Sequence, residues 1–133
     1  ILRAGEGAGI TGVIMSRDTV DIYNPKVVRS TMGSAFRVPF LYTDDLPGTV
    51  RELKAGGIRL FAAHLEGRNN YEEEDYTGNT GFLIGNEGNG LTEELSAAAD
   101  AWVKIPMAGK VESLNAAVAA SILMFETARQ RRA

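Results

Sequence analysis

Short apolar runs alternate along the chain with longer segments in which apolar residues recur every three or four positions. The apolar runs predict strands over residues 12–15, 40–42, 58–63, 81–84 and 102–105. The periodic segments predict helices over residues 1–9, 25–36, 46–55, 92–99 and from residue 113 onward. The polar segment 64–79 predicts a loop. Strands that alternate with helices are typical of a mostly parallel sheet flanked by helices, so the predicted fold class is α/β.

The last predicted helix has a clear apolar pattern. Leu114, Val118, Ile122 and Phe125 are spaced by four, four and three residues, which places them on one helical face. Ser113 is the predicted N-cap, because its hydroxyl can accept a hydrogen bond from a backbone amide two or three residues further on. The pattern therefore predicts a helix anchored along that face, with a polar loop at its start.

Composition narrows the class of protein. The 133 residues correspond to one domain, and an apolar content of 44% is ordinary for a globular chain. The absence of cysteine excludes a disulfide framework and a thiolate metal site, and no metal is predicted. No apolar run is long enough to cross a membrane. The net charge of −3 gives no general attraction to nucleic acid.

A glycine-rich segment follows the predicted strand 81–84. It carries Gly85, Gly88 and Gly90 and leads into the predicted helix 92–99. In open α/β sheets, ligands bind beyond the carboxyl ends of the strands, so this loop is placed to contact one. Its spacing is neither the dinucleotide fingerprint GxGxxG nor a P-loop, which ends in GK[ST]. From this loop alone, a tight turn without a ligand is an equally good interpretation.

Four short segments together resemble the SpoU family of RNA ribose 2′-O-methyltransferases, within the SPOUT superfamily. Residues 1–4 (ILRA) are similar to the end of the first family motif, 85–91 (GNEGNGL) to the second, and 105–107 (IPM) with 113–115 (SLN) to the third. The order of the predicted elements also fits this family from end to end. There are two departures: the Asn of the first motif is absent, and Ala4 stands where Thr is common.

The resemblance implies a fold that the apolar pattern alone does not predict. SPOUT domains thread the C-terminal helix through a loop to form a deep trefoil knot, and they form homodimers through helices from both ends of the domain. It also implies that residues 1–133 are a catalytic domain truncated at its N-terminus. The first strand, the start of the first helix and any RNA-binding domain would then precede Ile1, where the chain opens within a helical pattern.

The implied reaction transfers the methyl group of S-adenosylmethionine to a ribose 2′-hydroxyl of ribosomal or transfer RNA, in the cytoplasm. By family position, the cofactor would be bound by backbone groups and apolar walls at Leu65, Gly85, Ile105, Met107 and Leu114. The sulfonium is already an excellent methyl donor. The protein therefore has to hold the hydroxyl in line with the methyl group and help to remove its proton.

Arg3 is the residue that the resemblance implies for the second task. A guanidinium stays protonated in proteins, so an electrostatic role toward the RNA phosphate and the developing alkoxide fits better than proton abstraction. Glu87, Ser113 and Asn115 are expected to orient Arg3 and the ribose. Each has a structural alternative: Arg3 exposed at a frayed terminus, Glu87 paired with Lys110, Ser113 as a cap, and Asn115 bonded to backbone.

Three basic residues are candidates for phosphate contacts: Arg29, Arg37 and Lys110. The basic run 129–132 is interpreted as a solvated helix end, and His64, the sole histidine, as a structural residue. Two alternative functions remain open. One is a SpoU-like module that binds RNA without methylating it. The other is a different nucleotide-dependent α/β enzyme, such as a small oxidoreductase, which the missing dinucleotide fingerprint disfavours.

Overall fold

The computed structural model describes residues 1–16, 37–85, 90–110 and 114–132. Its helices are α1 (Leu2–Ala8), α2 (Leu46–Ala55), α3 (Glu93–Ala98) and α4 (Ala116–Arg132). Its strands are β1 (Val13–Ser16), β2 (Phe40–Thr43), β3 (Arg59–Ala63), β4 (Asn69–Asn70), β5 (Thr80–Leu83) and β6 (Ala101–Lys104). A 3-10 turn covers Tyr71–Glu73. The predicted helix 25–36 lies outside the described residues.

The other predicted elements agree with the structure to within one residue, apart from the segment 64–79 and the start of the last helix. The prediction of a loop over 64–79 is wrong in part, because the segment contains β4 and the 3-10 turn. Asn70 and Glu73 begin that turn as a capping box, in which the Asn70 backbone N–H donates to the Glu73 carboxylate at 2.9 Å. An Asn followed three residues later by Glu is a sequence signal for such a start.

All strand pairs in the described part of the chain are parallel, but they belong to two sheets. One sheet is β1 beside β2, and the other has the order β4-β6-β3-β5. β6 therefore lies between β3 and β4, although β4 is the next strand after β3 in the chain. In the register of the larger sheet, Ala62 pairs with Leu83 on one side and with Trp102 on the other. The predicted class, a mostly parallel sheet flanked by helices, is confirmed.

Helices cover both faces of the larger sheet. On one face, Leu60 packs with Val50 of α2 and Leu95 of α3. On the other face, Phe61 packs with Leu123 of α4. Leu60 and Phe61 are 1% and 0% exposed, because consecutive strand residues point to opposite faces and each face has its own helical layer. Full burial of one such side chain stabilises the fold by about 1.5–3 kcal/mol.

The buried face of α4 differs from the predicted one. Val118 and Phe125 are 47% and 46% exposed, whereas Ala120, Leu123 and Met124 are buried. The prediction of a shared anchored face is therefore wrong for Val118 and Phe125. Spacing alone cannot distinguish two neighbouring faces of an apolar helix, and packing against the sheet decides between them.

The end of α4 is fastened to the segment that precedes β5. The Gln130 side chain accepts a hydrogen bond from the Tyr76 backbone N–H at 2.7 Å and donates one to the Glu74 carbonyl at 2.9 Å. Arg131 donates to the carbonyl oxygens of Tyr76 at 3.2 Å and Gly78 at 2.7 Å. Tyr76 is fully buried, and this burial raises the pKa of its phenol. The basic run 129–132 is thus attached to the domain as well as solvated.

Candidate functional site

Three adjacent parallel strands of the larger sheet, β6, β3 and β5, end at the same edge. Ala63 pairs with Val103, and Ala62 pairs with Leu83. Leu65 and Ile105 therefore follow the ends of paired strands at matching positions, two residues beyond Ala63 and Val103. Gly85 stands two residues beyond Leu83. Because neighbouring strands are about 4.8 Å apart, the three strand ends span only about 10 Å. The structure thus brings three of the predicted cofactor residues to one edge.

Leu65 lies in a tight turn that crosses the end of β6. The His64 backbone N–H donates to the Val103 carbonyl at 3.0 Å, and the Gly67 N–H closes the turn by donating to the His64 carbonyl at 3.0 Å. A Cβ atom on Gly67 would be 2.6 Å from the Val103 carbonyl carbon. The turn therefore rests directly on the backbone of β6. Its tip presents Leu65, whose side chain is 64% exposed.

Gly85 and Gly90, which flank the undescribed residues 86–89 of the glycine-rich segment, lie in direct backbone contact after β5. A Cβ atom on Gly85 would overlap the backbone of Gly90 and Leu91, and Gly90 has a left-handed φ of 66°. Glycine at these two positions is therefore required by close backbone approach and by conformation. Glu87, predicted to orient the catalytic arginine, lies outside the described residues.

The third predicted motif gives apolar residues beyond β6. Ile105, Met107 and Leu114 are half-buried, and Lys110 is exposed. Ser113 lies outside the described residues, and the cap of α4 is Asn115. Its side-chain oxygen accepts hydrogen bonds from the backbone N–H groups 117 and 118, at 2.8 and 3.3 Å. The structural alternative considered for Asn115 is therefore present, since the side chain satisfies backbone donors at the start of α4.

Arg3 is exposed in the first turn of α1. α1 packs on α4, where a Cβ atom on Gly5 would be 3.5 Å from the Met124 sulfur. Arg3 is thus carried by the helix that lies against α4. Arg37 forms an ion pair with Glu6 of α1 at 2.6 Å, so its guanidinium already has a carboxylate partner. Arg29 lies outside the described residues.

A separate large cleft extends along β5. It has a volume of about 1360 Å³ and is lined by β1, β5 and parts of α3 and α4. Of the described residues predicted to bind the cofactor, only Gly85 lines it. We assign the candidate site to the strand ends and not to this cleft, because parallel sheets bind ligands where the carboxyl ends of adjacent strands meet.

Sequence patterns do not indicate how the Leu65 turn is supported. The His64 imidazole stacks on the Trp102 indole, with ring centres 4.2 Å apart and an interplanar angle of 16°. The only available signals are that His64 follows a strand directly and that Gly67 interrupts a polar loop. Both residues become significant only once β6 is known to pair with β3. In the described part of the chain, no group of His, Cys, Asp and Glu side chains is arranged to hold a metal ion.

The model of the SpoU rRNA Methylase family matches residues 1–125 of the chain. The chain belongs to the SpoU rRNA methylase family. It is 35% identical over 130 residues to the 23S rRNA (guanosine-2′-O-)-methyltransferase RlmB of Xanthomonas campestris pv. campestris. This alignment covers 98% of this chain and 52% of that protein. It is 35% identical over 125 residues to the 23S rRNA (guanosine(2553)-2′-O)-methyltransferase RlmP of Bacillus subtilis, covering 94% of this chain and 50% of that protein.

Solved structures of SpoU proteins have the same fold. The SpoU methyltransferase AviRb from Streptomyces viridochromogenes, in complex with the cofactor AdoMet, gives a TM-score of 0.88 at 36% identity, over 99% of this chain and 54% of that one. An AdoMet-bound rRNA methyltransferase from Sinorhizobium meliloti gives 0.86 at 38% identity, over 96% of this chain and 49% of that one. The predicted family is confirmed, and the SpoU chain described here spans about half the length of the curated relatives it matches. None of the described helices is long and apolar enough to cross a membrane.

Proposed function

We propose that this SpoU chain is a catalytic domain that methylates the ribose 2′-hydroxyl of ribosomal or transfer RNA in the cytoplasm, with S-adenosylmethionine as donor. The observation that carries the proposal is the meeting of Leu65, Gly85 and Ile105 at the carboxyl edge of three adjacent parallel strands. Relatives named as 2′-O-methyltransferases and structures holding AdoMet support the same reaction.

The chemistry of this edge fits an adenosine-containing cofactor. Leu65, Ile105 and Met107 offer apolar surface that is exposed or half-exposed, and the half-buried Leu114 is assigned to the same site by family position. The backbone at Gly85 has no side chain to block close approach. S-adenosylmethionine, when bound, supplies an activated methyl group. The residues at the edge of the sheet then have to bind the adenine, exclude water from it and fix its position.

The polar residues of the three motifs are assigned to bind and orient the RNA ribose. Arg3 is assigned the electrostatic role of holding a phosphate and stabilising the developing alkoxide, because its guanidinium remains charged. Glu87, Ser113 and Asn115 are assigned to orient Arg3 and the ribose, and Asn115 also caps the start of α4. Lys110 is exposed and Arg29 is basic, so both are assigned to the RNA backbone.

Among the basic candidates, Arg37 has a guanidinium that is already paired with a carboxylate. Its ion pair with Glu6 ties the segment before β2 to α1, the helix that carries Arg3. The pair is exposed on the Arg37 side, where a phosphate could approach the guanidinium. Arg37 is therefore assigned to RNA as a secondary contact.

The test uses the full-length protein with ribosomal and transfer RNA and labelled S-adenosylmethionine. We expect methyl transfer to RNA, and a loss of about a hundredfold in rate on Arg3→Ala. Arg51→Ala, an exposed arginine on α2, is the matched control and should keep the rate. Equal rates for all three proteins would contradict the role of Arg3. Calorimetric binding of NADH without binding of S-adenosylmethionine would contradict the proposed reaction.

The truncation is also part of our proposal, and the free strand edges of the two sheets support it. In the described part of the chain, β1 and β5 each have a strand neighbour on one side only, and both line the 1360 Å³ cleft. We propose that a preceding strand occupies this cleft in the full-length protein and joins the two sheets. Hydrogen exchange should then be slower at the backbone amides of β1 and β5 in the full-length protein than in residues 1–133. Equal exchange would contradict the proposal.

We propose that the chain contains the trefoil knot that the resemblance implies, and the strand order supports this. β6 lies between β3 and β4, and the connection between those two strands crosses the end of β6 at Gly67. Such a crossing is what threading of the C-terminal segment requires. A chain closed into a ring and then denatured should stay more compact in small-angle scattering than an unknotted ring of equal length. An equal radius would contradict threading.

A homodimer is proposed through α4. Val118 and Phe125 expose apolar side chains there, and Phe125 lies beside α1, since a Cβ atom on Gly7 would be 3.4 Å from its ring. Phe125→Lys should convert a dimer into monomers in sedimentation experiments. Leu41→Lys, at an exposed apolar residue of β2, is the matched control and should leave the dimer intact. A wild-type monomer would contradict the proposal.

A further inference from the structure

The turn that presents Leu65 is held by the side chain of His64. Besides the backbone bond that closes the turn, the Glu66 backbone N–H donates to His64 Nδ1 at 3.1 Å. An acceptor on residue i that binds the N–H of residue i+2 is the arrangement by which Asn and Asp stabilise Asx-turns. Here an imidazole nitrogen takes the place of the amide or carboxylate oxygen. Nδ1 must be without a proton to accept, so a neutral ring carries its proton on Nε2.

The His64 imidazole is itself held in place by a ring of β6. It stacks on Trp102 of β6, and the Trp102 indole N–H donates to the Ser96 carbonyl of α3 at 2.7 Å. The ring orientation of His64 is therefore fixed by the sheet and by α3. On the other side of the turn, Gly67 lies against the backbone of β6. The turn is thus supported at both ends, and its exposed tip is Leu65.

We propose that His64 is a positioning residue for cofactor binding, which holds the turn 64–67 so that Leu65 forms one wall of the site. The inference rests on the proposed function, because it gives Leu65 a bound ligand to contact. His64 does not itself have to touch that ligand. Its contribution passes through the hydrogen bond to the Glu66 amide, and the stack on Trp102 keeps that bond aligned.

Two substitutions separate this role from simple packing. His64→Asn keeps an acceptor where Nδ1 stands but loses the ring, whereas His64→Phe keeps the ring but loses the acceptor. If His64 acts through the turn, His64→Asn should bind S-adenosylmethionine within about twofold of wild type, and His64→Phe about fivefold more weakly. If His64 only fills space over Trp102, the order of the two variants is reversed. Phe40→Ala, which removes an aromatic contact beside Tyr42, is a control for general destabilisation.

The measurements are calorimetric titration of S-adenosylmethionine into each full-length protein and hydrogen exchange at the Glu66 amide. We expect slow exchange in wild type and His64→Asn, and fast exchange in His64→Phe. Suppose that the wild-type protein binds S-adenosylmethionine but the two His64 variants bind it equally well, or His64→Phe binds it more tightly than His64→Asn. Either result would overturn this inference and leave the proposed function intact. A wild-type protein that binds no S-adenosylmethionine would overturn the proposed function, and this inference with it.

Discussion

Gly67 lies so close to Val103 that a Cβ atom on Gly67 would be 2.6 Å from the Val103 carbonyl carbon. Two backbone segments 36 positions apart in the numbering are thus in direct contact at the end of β6. The contact sets how closely the turn that carries Leu65 approaches the sheet. A side chain at position 67 would have to lift the turn off β6.

Gly67→Ala is expected to lower the free energy of unfolding by about 1–3 kcal/mol, because the new methyl group meets backbone and has no flexible neighbour to displace. It should also weaken S-adenosylmethionine binding, since Leu65 moves with the turn. Gly78→Ala is the matched control, because a Cβ atom there has nothing within 4 Å. Urea unfolding and calorimetry measure the two effects. Equal stability of the two variants would contradict the contact.

The cap at the start of α4 can be separated from any role of Asn115 toward the ribose. Asn115→Ala should cost about 1 kcal/mol of stability, because two backbone donors lose their acceptor. Asn115→Ser keeps a capping oxygen and should unfold at nearly the wild-type urea concentration. If Asn115→Ser nevertheless methylates RNA more slowly, Asn115 also acts on the substrate. Unchanged stability of Asn115→Ala would show that the cap is unimportant.

Gln130 is expected to be one of two residues, with Arg131, that hold the end of α4. Gln130→Ala leaves the Tyr76 N–H and the Glu74 carbonyl without their side-chain partner, at a part-buried site. The expected loss is about 1–3 kcal/mol in the free energy of unfolding. Arg132→Ala, at an exposed position two residues after Gln130, is the control and should change stability by less than about 0.5 kcal/mol. Thermal unfolding of both variants tests this.

Stability is expected to fall on acidification. Hydrogen bonds from Thr77 lower the pKa of Asp75, and hydrogen bonding to Arg129 lowers the pKa of Glu126. A folded pKa below the unfolded value stabilises the fold fully above the unfolded pKa, and this stabilisation is lost as the pH falls through the folded pKa. The urea midpoint should therefore be steady above about pH 5 and decrease below it.

Asp75→Asn should make that acid dependence shallower, because one of the two carboxylates no longer titrates. Gly78→Ala, which changes no carboxylate and adds a methyl group in open space, is the control and should leave the dependence as in wild type. The measurement is urea unfolding at several pH values between about 3 and 7. A midpoint that does not change with pH across this range would contradict the expectation.

Much of the fold could be predicted from the sequence, because its strands have strong local signals. The run 58–63 is apolar except for Arg59, the run 81–84 has no polar side chain, both are bounded by glycine or polar residues, and the structure has β3 and β5 there. Buried parallel strands have this composition because both of their faces are covered. The assignment of Leu65, Gly85 and Ile105 to one site came from the family resemblance, and the parallel order of β6, β3 and β5 brings these residues to neighbouring strand ends.

Other features depend on contacts that are distant in sequence. The exposed position of Val118 and Phe125 depends on how α4 rotates against the sheet, and spacing along one helix does not contain that information. β4 is only two residues long, and it is a strand because Asn69 pairs with Val103 of β6. The support of Leu65 by His64 likewise requires β6 to lie beside β3. These features could not be predicted before the strand order was known.

The position of β6 between β3 and β4 has a consequence for biosynthesis. A nascent chain that has emerged as far as β5 exposes the edge where β6 will insert, and it must keep the flanking strands apart until then. Open parallel edges are sites of aggregation, and long-range parallel pairing is slow to form. Completion of the larger sheet therefore waits until Ala101–Lys104 has been synthesised, and until then the open edge of β3 is a site at which aggregation can begin.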